Sequence, residues 1–301
     1  MRRPRIVDGG LATGLESLGH ELHPRLWSAG LFLERPDAVE ALHRLYLAAG
    51  AEILISASYQ MSFEGLEEQG LDHAAAAEAM RRTVTVARQA AAGTRRSAMI
   101  AASVGPYGAT RADGSEYTGL YDLDARGLVA FHRERLEVLS TSGADLLAIE
   151  TIPSLVETQA LCDLLSVTPG PEAWISFSCR DGYRIADGEP IARAAALVDG
   201  CDRVTAVGVN CTPPQHVSSL IEAIGAVTDK RIVVYPNSGE RWDGAGRCWS
   251  GEPDTSGFVE LARGWASQGV WAVGGCCRVG PETIRQLARV LATRCQPPPS
   301  M

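Results

Sequence analysis

A chain of 301 residues, 46% hydrophobic and 21% charged, is long enough to bury one large core or two small ones. Its formal net charge is -8, from 28 basic and 36 acidic residues, and the basic residues are scattered, which argues against a nucleic-acid surface. No apolar run is long enough to span a bilayer, and the basic start (Arg2, Arg3, Arg5) lacks an apolar stretch of signal-peptide length. Eight cysteines are dilute in a chain of this length, so the expectation is a reducing, cytoplasmic compartment where cysteines bind metal or react more often than they bridge.

In chain order, eight short apolar runs read as strands: 5–8, 52–56, 98–104, 146–150, 173–178, 204–209, 231–235 and 270–273. Nearly continuous apolar runs suit strands buried on both faces, as in a parallel sheet. Amphipathic stretches separate them. Asp37 to Ala49 carries Val39, Leu42, Leu45 and Tyr46; 72–92 is alanine-rich; 124–142 carries Leu128, Phe131, Leu136 and Leu139. Ser154-Leu-Val-Glu157 has the spacing of a capping box ahead of Leu161, Leu164 and Leu165. Helices at 190–198, 213–224, 255–265 and 281–291 complete eight.

Eight strand–helix repeats predict an α/β fold of the (β/α)8 TIM-barrel type, as a single domain over residues 1–295 with a disordered tail at 296–301. An open doubly wound sheet is the competing arrangement. The first three repeats are longer than most later ones, and the surplus falls in loops after strands 1, 2 and 3. Barrel active sites form at this end of the strands, so the extra length points to a substrate pocket.

The polar residues at the strand ends are chemically loaded: Asp8-Gly9-Gly10, Ser56-Ala-Ser58-Tyr59-Gln60, Glu150-Thr151, Asn210-Cys211, Pro236-Asn237-Ser238-Gly239 and Gly275-Cys276-Cys277. Adjacent cysteines are poor partners for each other, but both can face one metal where Gly274-Gly275 lets the backbone bend, and the following helix N-terminus favours thiolate. Cys211 is the best third ligand. Three protein ligands with one open position is the pattern of catalytic zinc. Cys162, Cys179, Cys201, Cys248 and Cys295 have no such context and read as ordinary core or loop residues. His20-x-x-His23 has a metal-like spacing but lies in a polar loop with no third ligand, and no G-x-G-x-x-G opens a helix after a strand.

Asp8-Gly9-Gly10, Gly208-Val-Asn-Cys211 and Gly274-Gly-Cys-Cys277 together resemble the homocysteine S-methyltransferase family over essentially the whole chain. Leu26-Trp-Ser28, Ala57-Ser-Tyr-Gln60, Gly105-Pro-Tyr-Gly108, Asp113-Gly-Ser-Glu-Tyr117 and Tyr235-Pro-Asn-Ser-Gly-Glu240 resemble the subgroup that uses S-methylmethionine or S-adenosylmethionine. The resemblance implies a barrel whose Zn²⁺ is held by Cys211, Cys276 and Cys277. It implies methyl transfer from a sulfonium to the thiol of homocysteine, with S-methylmethionine the preferred donor and methionine the product. Zinc would hold the acceptor thiol as thiolate, and a neutral thioether leaves, so no strong general acid is required.

The resemblance puts Glu150 on the substrate ammonium, with Asp8 and the backbone of Gly9 nearby. Backbone N–H groups near Gly9 and the hydroxyl of Ser58 are candidates for the carboxylate. Asn237 is either a turn residue or a placeholder metal ligand. Trp27, Tyr59, Tyr107, Glu116 and Tyr117 lie on the surplus loops and are candidates for the sulfonium, which aromatic faces and carboxylates attract, though each can equally be loop packing. The alternatives are the same chemistry with another donor, such as betaine, or a barrel that binds thiols and zinc without catalysis. The partners expected are small molecules, with no nucleic acid and no membrane; the oligomeric state is not legible.

Overall fold

The computed structural model describes residues 3–23, 26–94, 97–243, 248–251 and 254–292. The expected tail at 296–301 and Cys295 lie outside the described residues. Eight parallel strands form the centre: β1 (Arg5–Ile6), β2 (Ile53–Ile55), β3 (Met99–Val104), β4 (Leu146–Ile152), β5 (Ala173–Phe177), β6 (Val204–Asn210), β7 (Arg231–Tyr235) and, after a ribbon of β8 (Arg241–Asp243) and β9 (Cys248–Ser250), β10 (Ala272–Val273). Their order is β1-β10-β7-β6-β5-β4-β3-β2. A parallel bridge from Val7 to Ile53, with Asp8 N donating to Ile53 O at 3.0 Å, joins the two ends. The sheet therefore closes on itself, and the open-sheet alternative does not apply.

The helices follow the chain in order. After β1 come α1 (Leu11–Ser17), α2 (Trp27–Glu34) and α3 (Pro36–Ala49); after β2 come α4 (Phe63–Glu67) and α5 (His73–Ala92). After β3 come α6 (Tyr107–Arg111), a 3₁₀ turn (Ser115–Tyr117) and α7 (Ala125–Ser140). Then α8 (Leu155–Val167), α9 (Ile191–Asp199), α10 (Val217–Gly225), α11 (Thr255–Ser267) and α12 (Pro281–Ala292) complete the outer ring. The surplus after strands 1, 2 and 3 is thus α1, α2, α4, α6 and the 3₁₀ turn, all at the C-terminal end of the strands. Several boundaries follow from capping. The side chains of Ser62, Asp72, Asp124, Ser154 and Asp254 each accept the backbone N–H three residues on.

Two apolar layers hold the barrel. Val7, Ile53, Ala148, Ala206, Val233 and Ala272 point inward, around the two large side chains Trp174 and Tyr235. Small residues on most strands leave room for those two rings, and Trp174 Nε1 donates to Tyr235 Oη at 2.9 Å, so neither polar tip is stranded. The larger layer lies between strands and helices and includes Leu42, Leu54, Ile175, Val207 and Trp265, all buried.

Gly208 shows how tightly neighbouring strands approach. A Cβ placed there would lie 1.7 Å from Val233 O on β7. Gly208→Ala must push the two strands apart, at a cost of about 3 kcal/mol. A circular-dichroism melt should show the variant several degrees below wild type; an equal midpoint would contradict the close approach.

Candidate active site

Barrel closure brings the ends of β1, β2, β3, β4, β6, β7 and β10 to one rim. They enclose a cavity of about 360 Å³ whose walls include Asp8, Gly9, Trp27, Tyr59, Glu116, Tyr117, Glu150, Cys211, Cys276 and Cys277. The sulfurs of Cys211, Cys276 and Cys277 all lie within 4.8 Å of one another, and among the described residues no other trio of His, Cys, Asp or Glu brings its ligand atoms so close. Cys211 and Cys276 are joined as a disulfide with Cα atoms 5.5 Å apart, while Cys277 is a free thiol. A bridged pair cannot supply thiolates, so metal binding and this bridge exclude each other. With the bridge reduced, the trio fits a metal. Sulfurs about 2.3 Å from a common ion at tetrahedral angles lie about 3.8 Å apart, within the spread seen here, and the cavity lies on the open side.

The loop that carries the cysteines differs in detail from the sequence expectation. Gly274 and Gly275 do not adopt left-handed backbone; they are needed for close approach, since a Cβ on Gly275 would lie 2.1 Å from Val279 Cγ1. The left-handed positions are Cys211 (φ 45°) and Arg278 (φ 65°). Trp27, Ala112 and Thr151 also have positive φ, and these three with Cys211 line the cavity. Among the described residues these five are all of the non-glycine residues with positive φ, each costing of order 1 kcal/mol. Strain is therefore concentrated around one cavity. Burial, reinforced by the nearby Glu116 carboxylate, pushes the Cys277 thiol up to about 12, and α12 starts four residues further on.

Two acids form the floor. Glu150 is buried, accepts from Ser103 Oγ at 2.5 Å and contacts the Tyr235 hydroxyl; burial still pushes its carboxyl up to about 7. Asp8 accepts from Ile55 N at 2.9 Å, and burial, with the charge of Glu150 adding to it, raises its carboxyl well above the ordinary range. Beside them a hydrogen-bonded chain runs from Tyr235 through Ser176 (2.6 Å) and Asn210 (2.8 Å) to Thr151 (2.7 Å), which fixes the residue after Glu150.

Of the aromatic candidates, Trp27, Tyr59 and Tyr117 line the cavity with Glu116. Burial holds the hydroxyls of Tyr117, which lies near Cys277, and of Tyr59, which lies near Thr151, well above their ordinary range. Glu116 Oε2 is buried with no hydrogen-bond partner, and burial raises its carboxyl to about 7.

Three sequence candidates are placed elsewhere. Tyr107 packs edge-on against Tyr121 and Phe131 and meets Asp122 and Arg111 with its hydroxyl, so it belongs to the wall behind the cavity. Ser58 donates to Ser103 O at 2.8 Å and is fully buried, while Ser56 and Gln60 face the cavity instead. Asn237 Oδ1 accepts from Cys277 N at 3.2 Å, so it holds the cysteine backbone rather than facing the cavity. His23 accepts from Leu26 N through Nδ1, a local turn contact.

Sequence reasoning missed a buried ionic group behind the wall formed by the loops after β2 and β3. Arg135, on α7, is fully buried and donates to Gly105 O (2.7 Å) and Tyr59 O (2.6 Å), pinning two cavity loops. Glu157 occupies the expected capping-box position, yet its carboxylate turns inward to Tyr107 N (2.6 Å) and His132 Nε2 (2.8 Å). Ser154 makes its half of the box, accepting from Glu157 N at 3.3 Å. The available signal was an arginine on the apolar stripe of α7, one residue before Leu136.

Known proteins bear on this arrangement. Residues 5–291 match the family model described as homocysteine S-methyltransferase. Homocysteine S-methyltransferase YbgG of Bacillus subtilis (strain 168) is 44% identical, over 94% of this chain and 93% of that protein. Homocysteine S-methyltransferase 4 of Zea mays is 45% identical, over 95% of this chain and 89% of that one. Crystal structures of the homocysteine methyltransferase MmuM from Escherichia coli superpose with TM-scores of 0.85 (metallated form) and 0.86 (oxidized form), at 36% identity over 96% of both chains. No helix among the described residues is long and apolar enough to cross a membrane. Matched along nearly its whole length, and with relatives above 40% identity, the chain belongs to the homocysteine S-methyltransferase family, a family of methyltransferases.

Proposed function

We propose that this enzyme is zinc-dependent and transfers a methyl group from a sulfonium donor, S-methylmethionine in preference to S-adenosylmethionine, to the thiol of homocysteine. The observation that carries the reading is a trio of cysteine sulfurs in the wall of one cavity that also holds two buried carboxyls and four aromatic rings. Three soft sulfur donors with an open side suit zinc. Zinc held by Cys211, Cys276 and Cys277 supplies the Lewis acidity that keeps an incoming thiol ionised at neutral pH. A reducing compartment such as the cytoplasm keeps the three cysteines available.

The chain's own residues orient the substrates. Glu150 and Asp8 sit on the floor with carboxyls held partly protonated by burial; an ammonium group between them offsets that burial and draws both towards the charged form. Gly10 N already donates to Val279 O, so the carboxylate end of homocysteine is left to the backbone around Gly9 and the first turn of α1. On the donor side, Trp27, Tyr59 and Tyr117 present rings and Glu116 presents an unpartnered oxygen, a suitable lining for a sulfonium. The homocysteine sulfur attacks the methyl carbon, the donor's S–CH₃ bond breaks with its electron pair retained on the donor sulfur, and the thiol proton leaves to solvent. From S-methylmethionine the products are two molecules of methionine. Alignment of the two sulfurs with the methyl carbon is the main demand.

The reaction is tested with reduced, zinc-loaded protein, homocysteine and donor carrying an isotopically labelled methyl group. Label should appear in methionine, faster from S-methylmethionine than from S-adenosylmethionine; no label from either donor would refute the sulfonium reading. Cys276→Ser should lose both zinc and turnover while the far-UV spectrum stays unchanged, and a variant with full zinc and activity would remove Cys276 from the ligand set.

Glu150 gives a pH signature. Its raised carboxyl stays protonated in the fold while the unfolded form ionises near pH 4.5, so its contribution to stability is present in full below that pH and is lost as pH rises through about 7. Between pH 5 and pH 8, metal-free wild type should lose roughly 2 kcal/mol of stability relative to Glu150→Gln. Parallel pH profiles for the two proteins would show that the carboxyl is not perturbed.

A further inference from the structure

Cys276 and Cys277 sit in the loop after β10, which is tied to Asp8 O by Gly275 N at 3.1 Å and, on its other side, to the segment after β7. Cys276 N donates to Pro236 O at 2.8 Å, Cys277 N donates to Asn237 Oδ1 at 3.2 Å, and Ser238 N donates to Cys277 O at 3.1 Å. The next residue, Arg278, closes the arrangement. Its Nε and Nη2 donate to Glu240 Oε1 at 3.0 and 2.8 Å, and Ser238 Oγ donates to Glu240 Oε2 at 2.5 Å.

Two features distinguish this ion pair from a surface one. The Glu240 side chain is 1% exposed although Arg278 is 42% exposed, so the carboxylate has been taken out of water and both its oxygens are satisfied by this loop pair. A buried carboxylate is costly unless so satisfied, which makes it a poor device for stability alone. Arg278 also has φ 65°, a conformation that an arginine adopts only when its surroundings impose it, and it lies directly after the thiol pair. Release of its guanidinium removes the side-chain restraint on that residue, whose own amide donates to Thr13 Oγ1 at 2.9 Å.

We propose that Glu240 and Arg278 form a positioning clasp that aims the Cys276 and Cys277 sulfurs, so that this ion pair sets the affinity of the site for its metal. The inference rests on the three-cysteine metal site proposed above. Neither residue touches the metal or the substrates; they act through the backbone of 276–278 and the segment 236–240. Partners that orient ligands from behind are worth about 10- to 100-fold in metal affinity.

The test is the zinc dissociation constant of the reduced protein, measured by competition with a chromophoric chelator, for wild type, Glu240→Gln, Arg278→Met and Arg278→Lys. Glu240→Gln and Arg278→Met should each weaken binding tenfold or more, and Arg278→Lys, which keeps the charge and part of the contact, should lose less. The thermal midpoint of metal-free reduced Glu240→Gln should stay close to that of wild type, whereas Arg278→Met, which leaves the buried Glu240 carboxylate without its cation, should melt lower. Two results overturn the clasp: wild-type affinity in both Glu240→Gln and Arg278→Met, or a loss confined to Arg278→Met, which would mark a charge effect. Failure of wild type itself to bind zinc would instead refute the metal site. If Arg278→Met does not fold, Glu240→Gln and Arg278→Lys carry the comparison.

Discussion

The hydrogen bonds that join β1 to β10 are the constraint on which the site depends. Arg5 N donates to Trp271 O and Val7 N to Val273 O, both at 2.9 Å, and beyond the strands Gly275 N donates to Asp8 O at 3.1 Å. Residues nearly the whole chain apart thereby become neighbours. Asp8 and Gly9 come to face Cys276 and Cys277, and Cys211, 65 residues before Cys276, reaches the same point from β6. A parallel sheet that stayed open would leave the first and last strands at opposite edges, with an acid on one and thiols on the other.

Around that closure the cavity is held in unfavourable local states by the rigidity of the barrel. Four of its lining residues have left-handed backbone without being glycine, and three of its carboxyls are pushed up by burial. Each condition costs free energy, and the raised carboxyls return towards their charged form when a cation is placed beside them. The carboxyls divide by position. Asp8 and Glu150 lie together on the floor, where burial raises both and the Glu150 charge adds to the shift of Asp8, whereas Glu116 comes from the loop above and acts on Cys277.

The support behind the walls adds buried polar groups to the apolar packing of Tyr107, Leu128 and Phe131. Arg135 satisfies main-chain carbonyls of two loops, and Glu157 holds the amide of Tyr107 at the start of α6. Loops of this kind carry backbone groups that no strand or helix pairs. Charged side chains reaching outward from α7 and α8 meet that need and fix loop positions more sharply than apolar contacts would. The same logic applies to the segment 236–240 beneath the cysteine loop.

Much of this was legible in the sequence because it depends on local pattern. Strand and helix order, the extra length after strands 1, 2 and 3, and the polar residue types at the strand ends follow from hydrophobic period, capping residues and position in the chain. Adjacent Cys276 and Cys277 after a strand were enough to suggest a metal, and the motifs identified the family. Which way a side chain turns was not legible where neighbours compete for it. Ser58 is turned into the main chain of β3 while Ser56 faces the cavity, Tyr107 packs behind the wall while Tyr59 and Tyr117 line it, and Asn237 spends its oxygen on the Cys277 amide. Gly274 and Gly275 stand where a Cβ would clash, as the sequence suggested, whereas the left-handed backbone of Cys211 and Arg278 was not legible. The sequence by itself determined the barrel, the rim and the sulfur chemistry, since these rest on spacing along one chain. Tertiary structure alone decided the ionisation of the buried acids, the clasp of Glu240 on Arg278 and the burial of Arg135. Those depend on distances between segments that sequence separation does not encode.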